Sequence, residues 1–154
     1  MKKLRINKVM LIGIALLIAL PLIFGSCANF ILAAQTTTTP VQIEFTYDQL
    51  LNEKNITQNV EVTHPGSLIV TLGSNQTTGY QWQENAKIGD TGILSQYSHQ
   101  FVELQNGMMG AAGKEVLTFK TLAKGSSTIQ FQYSRPWESG EKAEWTIDLT
   151  VVIK

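Results

Sequence analysis

Beyond residue 40, apolar and polar positions alternate in short bursts. Ile43, Phe45 and Tyr47 are separated by polar residues, as are Val60 and Val62. Leu68-Ile69-Val70-Thr71-Leu72 is a continuous buried-type run, and Tyr80-Gln81-Trp82-Gln83 alternates again. Ile93 to Val102 carries Tyr97 and Phe101, and Val116 to Phe119 follows. Ile129, Phe131 and Tyr133 share one phase, and so do Trp145, Ile147, Leu149, Val151 and Ile153. Period two predicts half-buried strands. Gly- or Pro-containing breaks such as His64-Pro65-Gly66 and Ala123-Lys124-Gly125-Ser126 separate them. The pattern predicts seven or eight strands, with a single helical turn at Asp48-Gln49-Leu50-Leu51 as the one departure. Many short antiparallel strands imply an all-β sandwich or barrel. Trp82, in a mid-chain strand, is suited to fill the space between two sheets.

The segment before Gln35 follows another rule. Lys2, Lys3, Arg5 and Lys8 precede an apolar run from Val9 to about Ala34 that holds no Asp, Glu, Lys or Arg. A basic start before an apolar core is an export signature, and a bilayer takes about 20 such residues. Residues 1–34 are therefore expected to form a hydrophobic signal peptide or membrane anchor helix, placing the remainder on the extracytoplasmic face of a membrane. Three fates fit the residues. Phe24-Gly25-Ser26-Cys27 resembles a loose bacterial lipoprotein box with Cys27 as the lipidated residue. Ile31-Leu32-Ala33-Ala34 suits a plain signal peptidase, and an uncleaved anchor suits the length of the run. Gln35 to Pro40 is Thr-rich and reads as a short extended linker, so the folded domain is expected over 41–154.

Charge sharpens this division. The whole chain has 12 basic and 12 acidic residues. Removing the four basic residues of the leader leaves eight against twelve, a net charge near −4 on the exported part. No basic stripe supports nucleic-acid binding. Cys27 is the only cysteine, so the domain has neither disulfide nor thiol nucleophile.

Catalytic and metal chemistry find no pattern. His64 lies beside a turn proline and His99 within a strand, and neither has an acidic, Cys or His partner at ligand spacing. No nucleophile elbow, P-loop or dinucleotide fingerprint occurs. Glu138, Glu141 and Glu144, near Arg135, read as a solvated loop. No catalytic residue, metal or cofactor is expected.

Three loops remain. Gly73 to Tyr80 holds small hydroxyl residues between two strands, with Gly79 free to take a positive φ. Asn106 to Gly113 combines three glycines with Met108 and Met109; it reads either as a surface adaptable to a partner or as a loose loop whose methionines return to the core. In Tyr133-Ser134-Arg135-Pro136-Trp137, Pro136 stiffens the backbone before a large aromatic. Trp137 is then either a binding anchor or a cap on the end of the sandwich. In an immunoglobulin-like topology, three loops in this order gather at one end.

These motifs resemble those of the chagasin-type inhibitors of papain-like cysteine peptidases. Asn75-Gln76-Thr77-Thr78-Gly79-Tyr80 matches the family's Asn-Pro-Thr-Thr-Gly-aromatic loop, Gly110-Ala111-Ala112-Gly113 its Gly-x-Gly-Gly loop, and Arg135-Pro136-Trp137 its Arg-Pro-aromatic loop. The resemblance covers about Val41 to Lys154 and implies an immunoglobulin-like β-sandwich that occludes the cleft of a papain-like peptidase. By carry-over, Thr77 and Thr78 lie over the active centre, Met109 to Gly113 against one side of the cleft, and Trp137 on an aromatic patch at the other. It implies a reversible, competitive inhibitor and not an enzyme; the residues do not give the oligomeric state, and one-to-one binding by a monomer is the default expectation. Gln76 replaces a Pro and removes one φ restraint, so a more mobile first loop and weaker binding are expected. Ala112 replaces a Gly. Asn55-Ile56-Thr57 and Asn75-Gln76-Thr77 fit the N-glycosylation pattern, and a glycan on Asn75 would obstruct this mode. The competing reading is a cell-surface immunoglobulin-like interaction module without inhibitory activity.

Overall fold

The β-rich pattern folds into two facing sheets. The computed structural model describes residues 38–103, 112–137 and 139–154. The first sheet has the order β1 (Val41–Phe45), β3 (Ser67–Ser74), β7 (Gly113–Thr121), β6 (Leu94–Val102). The second has β2 (Asn55–Val62), β9 (Trp145–Ile153), β8 (Gly125–Ser134), β4 (Gln81–Trp82), with β5 (Lys87–Ile88) also paired to β8.

The inward phase of each strand builds the core, as the alternation requires. Leu68, Val70 and Leu72 of β3 and Leu117 and Phe119 of β7 meet Ile129, Phe131 and Tyr133 of β8 and Ile147, Leu149 and Val151 of β9; all are buried. Trp82 fills the space between the sheets, only 2% exposed. Its indole Nε1 donates to the Gly73 carbonyl at 3.0 Å. That bond satisfies the polar edge of an otherwise apolar ring.

Three features differ from the expectation. Among the described residues nine strands form in place of seven or eight: β4 falls within the alternating Tyr80 to Gln83, whereas β5 has only two residues, and so short a piece displays no periodicity. Two of the strand pairs are parallel, β1 with β3 and β2 with β9. Parallel pairing joins strands that no tight turn can connect, and no local pattern encodes it. The single turn is a six-residue helix, α1 (Tyr47–Asn52), whose first turn is closed by the Thr46 hydroxyl accepting from the Gln49 amide. Leu50 buries completely, which makes the helix part of the core.

The expected leader and Cys27 lie outside the described residues. Among the described residues, no helix is long and apolar enough to cross a membrane.

Candidate functional site

The register brings the first and third loops, and the two roots of the second, to one end of the sandwich. The first leaves β3 at Ser74, which pairs with Gly113, where the second loop enters β7; Lys114, next along β7, pairs with Val102 at the close of β6. The first loop rejoins the second sheet at Gln81, opposite Ser134, where the third loop leaves β8. The third loop returns at Trp145, opposite Tyr133.

The first loop is ordered by its own side chains. Gln76–Thr78 form one 3-10 turn. The Asn75 side-chain oxygen accepts from the Thr77 amide at 3.2 Å. It also accepts from the Thr77 hydroxyl at 2.6 Å. Asn75 thereby caps the turn, satisfying a donor that the turn itself leaves without a partner. The Thr78 hydroxyl donates to the Asn75 carbonyl at 2.6 Å. Gly79 ends the turn at φ 80°. That left-handed conformation costs residues with a side chain about 1–2 kcal/mol. The Tyr133 hydroxyl, rising from the core, accepts from the Asn75 amide at 2.9 Å. These bonds restrain the turn at the place where the resembled motif has a proline. Gln76, Thr77 and Thr78 stay exposed at the tip.

The third loop leans on the first. The Trp137 ring lies over Gly79 so closely that a Cβ there would meet its Cη2 at 2.7 Å. The Arg135 guanidinium sits 4.5 Å from the Tyr80 ring centre and 5.7 Å from that of Trp137. Tyr80 stacks on Tyr133 at 5.5 Å, and Tyr133 on Trp145 at 4.5 Å. A column of aromatic rings thus runs from Tyr80 at the loops into the core, with the Arg135 cation at its outer end beside Tyr80 and Trp137. Trp137 rests against Gly79 and keeps 48% of its surface exposed.

The acidic residues of the third loop are more than a solvated patch. Glu141 accepts a hydrogen bond from the Tyr80 hydroxyl, and Glu144 pairs with Lys54. The bond to Glu141 raises the Tyr80 phenol above its ordinary pKa, and the same bond is the first cause holding the Glu141 carboxyl below its own. The Lys142 ammonium donates to the Arg135 and Trp137 carbonyls at 2.6 and 2.7 Å. Glu138 lies outside the described residues.

Of the second loop, Met109, Gly110 and Ala111 lie outside the described residues. Ala112 is half-buried. Gly113 is buried, and a Cβ there would meet the Phe101 ring at 2.4 Å, because that ring lies over the glycine.

Spacing along the chain leaves His99 without an acidic partner; folding supplies two. His99 Nε2 lies 2.7 Å from Glu115 Oε2, and Nδ1 lies 3.2 Å from the Glu84 carbonyl and 3.6 Å from its carboxylate. Glu115, 2% exposed, also accepts from the Ser74 hydroxyl at 2.6 Å and faces the Trp82 amide at 3.4 Å. The Glu115 bond, first, and the neighbouring Glu84 groups raise the His99 pKa above its ordinary 6.5 against the opposing effect of burial. The cluster borders a polar cleft of about 120 Å³ between β6 and β4, to which Gln76 also contributes. The carboxylate stands between serine and imidazole, so the imidazole does not reach the hydroxyl as a base must. Among the described residues, no group of His, Cys, Asp and Glu side chains is arranged to hold a metal. One sequence signal marks this cluster. Glu115 occupies the inward phase of β7 with Leu117 and Phe119. A carboxylate there must have partners.

Comparison with known proteins gives the family and the fold. Residues 61–151 match the chagasin family peptidase inhibitors. The chain is 30% identical over 105 residues to Amoebiasin-2 of Entamoeba histolytica, covering 68% of this chain and 85% of that protein. The crystal structure of a cysteine protease inhibitor from Entamoeba histolytica shares the fold, with TM-score 0.59 and 24% identity over 76% of this chain and 99% of that one. PbICP-C, solved in complex with falcipain-2, shares it at TM-score 0.54 and 14% identity, over 76% of this chain and all of the other.

Proposed function

We infer, since this chain belongs to the chagasin family of peptidase inhibitors, that it inhibits papain-like cysteine peptidases reversibly and competitively by seating its three-loop end in the catalytic cleft. The observation that carries this reading is the joined ridge of the first and third loops. Trp137 on Gly79 and Arg135 on Tyr80 hold the two loops as one unit before any partner arrives. A preformed ridge avoids much of the ordering cost of association.

Inhibition of this kind needs occlusion and no bond-making. The first loop offers Thr77 and Thr78 on a narrow turn that enters a slot closed to bulkier tips. Trp137 supplies the exposed aromatic that anchors one flank. The second loop, Met109 to Gly113, flanks the other side. Protease–inhibitor contacts bury about 800 Å² per partner, an area three loops at one end can supply. The inhibitor acts as a monomer, one-to-one, on the outer face of a membrane where residues 1–34 tether or deliver it.

Titrating residues 36–154 against papain and a cathepsin-L-like enzyme tests this. Competitive inhibition is expected, and Trp137→Ala should weaken it by about 2 kcal/mol, some 30-fold, with the fold retained. No inhibition at micromolar concentration would sink the reading.

A further inference from the structure

Glu115 is a buried carboxylate that the proposed contact with a peptidase does not use. It stands where the two roots of the first loop converge. Ser74, the last residue of β3, donates its hydroxyl to Oε1 at 2.6 Å, and the amide of Trp82, two residues beyond Tyr80, faces the same oxygen at 3.4 Å. Ser74 is fully buried and Trp82 nearly so. The Ser74 hydroxyl, away from the cleft lining, therefore depends on this carboxylate for its hydrogen bond. The other carboxylate oxygen faces His99 Nε2 at 2.7 Å.

We propose that Glu115 is a positioning residue for the first loop: with protonated His99 as its counter-ion, its carboxylate holds Ser74 and Trp82 at the separation that presents Asn75 to Tyr80 to the peptidase. This rests on the inhibitory reading above and adds a pH dependence that belongs to the inhibitor itself. The titratable groups facing His99 are Glu115 from β7 and Glu84 from the segment after β4. The other residues lining the cleft, Gln76, Gln81, Trp82 and Phe101, carry no charge. A buried carboxylate keeps its grip while the imidazolium offsets it. When His99 loses its proton, Glu115, only 2% exposed, is left with one charge uncompensated, and Nδ1 faces the Glu84 carbonyl without a proton to share unless the tautomer changes. The roots of the loop then loosen. His99 has a raised folded pKa. The clamp is therefore complete below the ordinary histidine pKa and is lost as pH rises through the folded value.

Glu115→Gln separates positioning from plain structure. A glutamine keeps the size and an acceptor for Ser74, and its amide donates to neutral His99, so it needs no proton. The full chain in detergent is assayed against papain from pH 5 to 9, wild type beside Glu115→Gln, so that the enzyme's own titration cancels in the ratio of the two inhibition constants. The wild type is expected to lose about tenfold in affinity relative to Glu115→Gln as His99 deprotonates. NMR should show the His99 pKa falling in the variant. A ratio constant from pH 5 to 9, or a His99 that does not titrate in that range, overturns the pH dependence. Hydrogen exchange in the unbound chain reads positioning without a peptidase. Glu115→Leu, if folded, should speed exchange of the Asn75 to Gly79 amides about tenfold while β8 is unchanged. If it does not fold, the same region of Glu115→Gln is compared with wild type above the His99 titration, where the glutamine variant should be the better protected. Equal protection in whichever comparison applies overturns the positioning role. A wild type that inhibits no papain-like peptidase removes the inhibitory reading and leaves the exchange result to decide this one.

Discussion

Gly79→Ala perturbs the joined ridge at one atom. Gly79 sits at φ 80°. An alanine in that left-handed region costs about 1–2 kcal/mol of stability, because its Cβ crowds the backbone. The same Cβ would lie 2.7 Å from Trp137 Cη2. Carbon atoms at rest stand about 3.5–4.0 Å apart, so the indole must retreat by roughly 1 Å. That displacement acts on the exposed anchor while leaving the core untouched. Trp137 is expected to be worth about 2 kcal/mol to binding, and a retreat that forfeits half of this weakens inhibition by about fivefold. The two costs are separable. Urea unfolding measures the first, and inhibition of papain measures the second. In a Trp137→Ala background the indole is gone, so Gly79→Ala should still lower stability and should no longer weaken inhibition. The cycle of four proteins therefore gives a coupling of about 1 kcal/mol in binding. Full additivity in the inhibition constants, with Gly79→Ala weakening both backgrounds alike, would refute the claim that Gly79 acts by seating Trp137.

Trp82→Phe removes the donor to the Gly73 carbonyl and leaves a void between the sheets. Urea unfolding should show a loss of about 1–3 kcal/mol. Arg135→Lys replaces a planar cation between Tyr80 and Trp137 with a compact one, so papain inhibition should weaken severalfold while the melting temperature barely changes. His99→Gln should lower the melting temperature most below pH 6.5, and the gap to wild type should close as pH rises through the His99 pKa; a gap that widens on the alkaline side would contradict the assigned direction. Labelled fatty acid should be incorporated into the native chain and not into Cys27→Ala if the leader is a lipoprotein signal, and an unlabelled, uncleaved chain leaves the spanning anchor.

The chemistry of the first and third loops was legible because turns are written locally. Asn75, Gly79 and Pro136 each act on the backbone within a residue or two, through a side-chain cap, a positive φ and a fixed φ. The partners of those loops were not legible. Glu141 is 61 residues from the tyrosine whose hydroxyl it holds, and no spacing rule links them. Lys142 gives the same lesson at short range: its charge was visible, but its contact with two loop carbonyls depends on the path of the loop.

Periodicity and short-window composition were enough to predict the long strands, the inward faces of β3, β8 and β9, and the three motifs that carry the resemblance. Each of these is a property of residues within a few positions of one another. They were not enough to predict the inward face of β6, whose Tyr97 and Phe101 are exposed. Folding was needed to pair two sets of strands in parallel, to lay Trp137 on Gly79, and to bring Ser74, His99 and Glu115 together. Those are contacts between segments distant along the chain. Their energies depend on burial and on the direction of each side chain, which a one-dimensional pattern does not contain.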